Sequence, residues 1–267
     1  MREKMSETHA DASAESAPLW FDELTMSEVE KTAKSGTVVI FPVGSVEEHG
    51  EHLPLSTDSL QPEFVALEVA KRTKSLVLPT LRYGVCSSTR NFPGTLSINF
   101  SSLYGITFDI LSELVRNGFG KILILSGHAG TLHMAALRDA AQNVVMQNEA
   151  ANVEGKVRIM VLSDYDFAYD LRGKTVSEKD GHGGAIETSR IMAIKPSAVK
   201  GIGKKSFTQP PRFEVLAHPE SHFPTGTIGD PAEASASKGQ EINSYVIEQV
   251  VKLVQELQAP RLPTNEK

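Results

Sequence analysis

The sequence predicts a single three-layer α/β/α domain built around a mostly parallel β-sheet. Short runs rich in Val, Ile and Leu alternate with amphipathic stretches, the pattern that buries parallel strands between two layers of helix. No repeat or low-complexity linker divides the body of the 267-residue chain, a length that suits one large α/β domain. Two clusters of metal-ligand residue types follow directly on apolar runs, where open α/β sheets place their ligands.

Residues 37–43 read as the first buried strand, 60–73 as a helix and 76–79 as a short second strand. Leu103, Ile106, Ile110 and Leu114 recur at helical spacing and predict a helix over 101–117. A third strand at 121–125 leads into a helix over about 131–147, and 157–162 reads as the fourth strand. A helix over 184–193 precedes Pro196, and a last helix over 231–257 precedes Pro260 and Pro263. Residues 1–18 are polar, small and acidic, without an apolar signal core, and read as a disordered extension. The domain is expected to span 19–259, with 260–267 a C-terminal tail. Long irregular stretches at 82–96, 163–180 and 203–229 suit lids, binding loops or oligomer contacts.

Hydrophobic content of 40% and charged content of 22% describe an ordinary globular protein. A formal net charge of -6 and a pI near 5.8, with no basic stripe, speak against nucleic acid as a partner. Cys86 is the sole cysteine, which excludes a disulfide framework or a zinc–thiolate cluster within the chain. It reads as a buried small hydrophobe. No apolar run approaches the ~18–20 residues needed to span a bilayer, so no membrane partner and a cytoplasmic location are expected.

Residues 44–58 place His49, His52, Glu47, Glu48, Glu51 and Asp58 just past the first strand. Neutral imidazole and carboxylate suit zinc, iron and manganese. Glu47 and His49 are two apart and point the same way if the segment is extended. A Pro-containing turn can bring Asp58 back toward them, although a charge run of this kind is also compatible with a solvated acidic loop. His128 projects from the turn after the third strand between Gly127 and Gly130, and joins the candidate ligands. His182 and Glu187 are five apart, ~140° around a helix, and cannot share a helix face. With His182 in the glycine-bearing loop and Glu187 one turn inside the following helix, both can face one pocket.

Taken together, these motifs resemble those of the creatininase (creatinine amidohydrolase) family of metal-dependent hydrolases. The first signature is matched over 44–58, a Gly-His-Gly-Gly-type turn over 127–130 and a His-x-Gly-x-x-Glu-Thr-Ser-type element over 182–189. Phe-Pro-Gly-Thr at 92–95 and Gly-Asp-Pro at 229–231 add to the match. The resemblance implies a creatininase-like fold with two divalent ions (Zn, Fe(II) or Mn). It makes Glu47, Asp58 and His128 ligands of one metal and His49 and Asp58 ligands of the second, with Asp58 bridging. Creatinine-hydrolysing members carry a glutamate two residues after the third-strand histidine; here that position is Gly130, and Glu187 is placed to complete the second site instead. His52 would orient a ligand or the loop, and His182 matches the family's catalytic histidine. Those members also use tryptophans over the substrate, whereas the one tryptophan here is Trp20.

The implied chemistry is hydrolysis of a small-molecule amide-type C–N bond, in a formamide or a cyclic amide, by water activated between two metals. His182 would give a proton to the departing nitrogen. One similar branch deformylates a formamidopyrimidine nucleotide in flavin and deazaflavin biosynthesis; that substrate calls for phosphate-binding donors, with Arg90, Ser87 and Thr89 as candidates. Other branches act on creatinine, a peptide cofactor precursor or a cyclitol or lactone ring. A non-catalytic binding module is the competing class. The family also implies a homo-oligomer, a hexamer or dimer.

Overall fold

The computed structural model describes residues 20–151, 157–211 and 213–260. The expected extension at 1–18 and the tail at 260–267, apart from Pro260, lie outside the described residues. Four parallel strands, β1 (Val39–Val43), β2 (Leu76–Val77), β3 (Lys121–Ser126) and β4 (Arg158–Ser163), pair in the order β2-β1-β3-β4. Side chains alternate across a strand, so β1 and β3 each feed two cores. Val39, Phe41, Val43, Ile122 and Ile124 face one layer, while Ile40, Leu123 and Leu125 face the other. Every residue of β1 is buried, as a strand covered on both faces requires.

Helices α3 (Phe100–Arg116) and α4 (Thr131–Ala150) pack together over the first face. Helix α2 (Thr57–Thr73) covers the second, with α6 (Ala185–Ile194) and α7 (Ala236–Gln258) against it. A close approach of α6 and α7 depends on Gly239, where a Cβ would run into the Ser189 carbonyl. The short helix α5 (Tyr165–Ala168) follows β4. Among the described residues no helix is long and apolar enough to cross a membrane.

Of the differences from expectation, three have a clear local cause. Helix α1 (Met26–Lys34) was not predicted; it buries no residue, and its signal is the capping box Thr25–Glu28. Helix α2 begins at Thr57 rather than 60, which puts Asp58 in its first turn. Helix α7 begins at Ala236 rather than 231, because Ser235 accepts the Lys238 N–H as its cap and 231–233 form a separate 3-10 turn.

Candidate metal centre and active site

Strand order reverses between β1 and β3: from β1 the chain crosses to β2, and from β3 to β4. The crevice beyond the carboxyl ends of two such strands is where doubly wound sheets hold ligands. Glu47 and His49 follow β1 there, and His128 follows β3. The first turn of α2 is pressed into the same crevice. A Cβ on Gly44 would lie 2.5 Å from the Asp58 carbonyl oxygen, and one on Gly127 closer still. Those two strand-end glycines let Asp58 reach between the two histidines.

Its carboxylate is divided between them. Asp58 Oδ1 lies 3.0 Å from His49 Nε2, and Oδ2 lies 3.0 Å from His128 Nδ1. Glu47 Oε2 stands 2.8 Å from the same His128 nitrogen, and Glu187 Oε2 3.5 Å from the same His49 nitrogen. Ligand atoms of His49, Asp58 and Glu187 all fall within 4.8 Å of one another. All five side chains are buried. Three carboxylates out of water demand compensating positive charge, and the titration behaviour expresses that demand. Burial alone would push the His49 imidazolium pKa down, yet Asp58 and Glu187 raise it well above its ordinary value. Burial opposes charge on His128 as well, and Glu47 and Asp58 outweigh it. Asp58, despite burial, is held well below the usual carboxylate range by His49 and His128.

Tautomers decide between a proton and a metal as the partner. A carbonyl only accepts, so His49 Nδ1 donates to Glu47 O at 3.1 Å and His128 Nε2 donates to Val85 O at 3.0 Å. Each ring therefore keeps its other nitrogen for the carboxylate cluster. Metal-binding histidines are oriented in this way, by tying the remote N–H to a carbonyl or carboxylate. The donor set fits two divalent cations sharing Asp58. Around it, Ser45 Oγ donates to Asp58 Oδ2 at 2.7 Å and Thr89 Oγ1 donates to Glu47 Oε1.

His182 stands in the loop before α6, its ring tilted 34° against that of His49 with centroids 4.2 Å apart. Glu187 sits in the first turn of α6, where the Gly183 N–H meets Oε2 at 2.5 Å. Asp180 caps the same helix from upstream, accepting from Ala185 N at 2.6 Å and Ile186 N at 2.9 Å. A cavity of about 260 Å³ opens onto Glu47, Asp58, His128, His182 and Glu187. Each of the three long loops contributes wall: Ser88 and Thr89 from the first, Tyr165 and Tyr169 from the second, Pro210, Phe223 and Ile228 from the third.

Of the substrate-binding candidates, only Thr89 lines this cavity, and its hydroxyl is committed to Glu47. Ser87 and Arg90 are exposed and lie outside the lining, where Ser88 takes their place. The reason is local: residues 87–90 form a turn, of which only Thr89 is buried. His52 does not reach the carboxylates; it is buried with Nε2 2.8 Å from Thr188 Oγ1. Glu51 is exposed and pairs with Lys204. Trp20 bridges to Val77 at the far edge of the sheet. Cys86 is buried beside Glu47 and His128, and burial, reinforced by Glu47, pushes its thiol up to about 12. It is no thiolate nucleophile at neutral pH.

Sequence reasoning missed Glu48, which touches His182, and His133. Val85 N donates to His133 Nδ1 at 3.3 Å, and its Nε2 meets Ser126 Oγ at 3.1 Å. Its position in the first turn after the Gly130 loop was the available signal. Tyr165 and Tyr169 carried none, since buried aromatics after a strand read as core.

A family model described as creatinine amidohydrolase matches residues 22–254. The creatinine amidohydrolase of Pseudomonas putida is 29% identical over 259 residues, covering 90% of this chain and 98% of the relative. A solved structure described as Creatininase Mn superposes with a TM-score of 0.83 at 28% identity, covering 91% of this chain and 99% of its own. A glutamate-to-glutamine variant of creatininase, described as Zn-Zn type, superposes with a TM-score of 0.81 at 28% identity over the same shares of the two chains.

Proposed function

The chain belongs to the creatinine amidohydrolase family, and from that premise we propose that it hydrolyses an amide-type C–N bond of a small uncharged molecule at a centre of two divalent metal ions. The observation that carries this reading is the shared carboxylate: Asp58 gives one oxygen to each of two imidazoles whose other nitrogens are tied to main-chain carbonyls. Glu47, Asp58 and His128 would hold one ion, and His49, Asp58 and Glu187 the other. Relatives described as Mn and Zn-Zn forms support the pair of ions. When bound, such a pair supplies a nucleophile from water near neutral pH and polarises the carbonyl.

The protein's own residues do the remainder. Thr89 and Ser45 fix the Glu47 and Asp58 carboxylates. Tyr165, Tyr169 and Phe223 wall the cavity with ring surface, suited to a flat amide and to excluding water. His182, on the cavity wall, gives the departing nitrogen its proton. Among the described residues no Lys or Arg lines the cavity, and Arg90 is exposed. A compact formamide or cyclic amide is favoured over a formamidopyrimidine nucleotide on this ground, because among the described residues no cationic side chain there meets a phosphate.

The test is metal analysis followed by incubation of the Mn- or Zn-loaded protein with creatinine, other cyclic amides, simple formamides, a lactone, a peptide and the formamidopyrimidine nucleotide. Released amine, formate or acid is measured. We expect near-stoichiometric filling of both sites and turnover of an uncharged amide. Absence of bound metal would favour a binding module, and preference for the nucleotide would overturn the substrate reading. The homo-oligomer implied by the family is checked on the same sample by light scattering.

A further inference from the structure

Glu48 lies between the two ligands of the first signature but faces neither metal position. Its main-chain carbonyl is 2.7 Å from His182 Nε2, and its carboxylate Oε1 is 3.2 Å from the same atom. The other carboxylate oxygen accepts the Gly50 N–H at 2.9 Å. Although its side chain is long and ionisable, Glu48 is 6% exposed. The third long loop seals it: Gly226, at φ 66°, passes so close that a Cβ there would collide with Glu48 Oε2. Gly183, beside His182, packs against the Gly226 carbonyl in turn.

Both oxygens that meet His182 Nε2 are acceptors, since a main-chain carbonyl cannot donate and a carboxylate does not when ionised. Nε2 must therefore carry the hydrogen, and the lone pair of the neutral ring belongs to Nδ1. We propose that Glu48 is the positioning residue of His182, clamping Nε2–H with two oxygens so that Nδ1 is the nitrogen that exchanges a proton with the substrate. The clamp holds the ring against His49, tilted by 34°, and admits one tautomer. Loop closure by Gly226 keeps water from competing for the Glu48 carboxylate.

The role of His182 as proton donor is part of the functional reading above; the tautomer and the Glu48 clamp are not, and their primary test does not depend on turnover. In Zn-loaded protein labelled with 15N-histidine, the ring signals missing from His182→Asn are assigned to His182, at a pH where that ring is neutral. We expect a pyrrole-type Nε2 and a pyridine-type Nδ1 in the wild type. In Glu48→Gln the main-chain carbonyl still holds Nε2–H, so we expect the same tautomer but faster exchange of that proton with water. A pyridine-type Nε2 in the wild type, or unchanged proton exchange in Glu48→Gln, would overturn the clamp. On any amide turned over in the substrate panel, Glu48→Gln should lower kcat on the order of 10-fold with KM within about twofold. Metal content should be unchanged. In a His182→Asn background the same change should have no further effect. Equal losses in both backgrounds would show that Glu48 acts elsewhere.

Discussion

On the proposed reading Asp58 serves two cations with its two oxygens. Glu47 pairs most closely with His128 and Glu187 with His49. Asp58→Asn removes the charge and turns one oxygen into a donor facing an imidazole nitrogen. We expect occupancy to fall at both positions and activity to drop by more than ~10²-fold, a loss larger than that of an outer hydrogen-bond partner. Thr89→Val, which deletes only the hydroxyl on Glu47, should cost about 10–100-fold in metal affinity. Metal content after dialysis, followed by titration with Zn, separates the two. The clustering of these side chains was legible in the sequence because strand-end positions and the spacing of carboxylate and imidazole are local properties. Thr89, Ser45 and His133 were not, since their contacts come from segments far apart in the chain, and a threonine on a long loop carries no mark of direction.

At the level of elements, helix α6 depends on a carboxylate outside it. Asp180 accepts two N–H groups from its first turn, and burial raises its pKa from 3.8 to about 6 despite them. Because the folded value lies above the unfolded one, the contribution of this group to stability is complete below pH 3.8 and is lost as pH rises through about 6. Asp180→Asn does not titrate. The stability advantage of the wild type over that variant should thus be larger at about pH 4.5 than at about pH 7.5, as read from urea unfolding midpoints. A gap that widens with pH would contradict the sign. The parallel sheet and its covering helices were legible from period alone, including β1, β3 and β4. The start of α2 was not, because the Pro-containing turn before Asp58 reads as running past it, whereas the first turn of the helix, packed on Gly44 and Gly127, already starts at Thr57.

Across the whole molecule, the layer behind the site is pinned by a charge pair. Arg190 of α6 and Asp164, at the end of β4, are both fully buried, with Nη2 and Oδ2 2.6 Å apart. Arg190 Nε also reaches Asn243 of α7 at 2.8 Å. Removing one partner leaves the other charge unpaired in the core, so Asp164→Ala should destabilise the fold by about 3–5 kcal/mol. A replacement of both by apolar residues should cost far less, and a thermal-unfolding comparison of the single and double variants checks this.

The cavity's own layout bears on redesign. A Cβ at Gly130 would stand 2.6 Å from His128 Nε2, so any side chain there and the present ring orientation exclude each other. A carboxylate therefore cannot be grafted at position 130 as a spare while the His128 ring keeps its seat. Engineering one in needs His128 to be re-seated in the same step, a coupled change that single-site screening would miss.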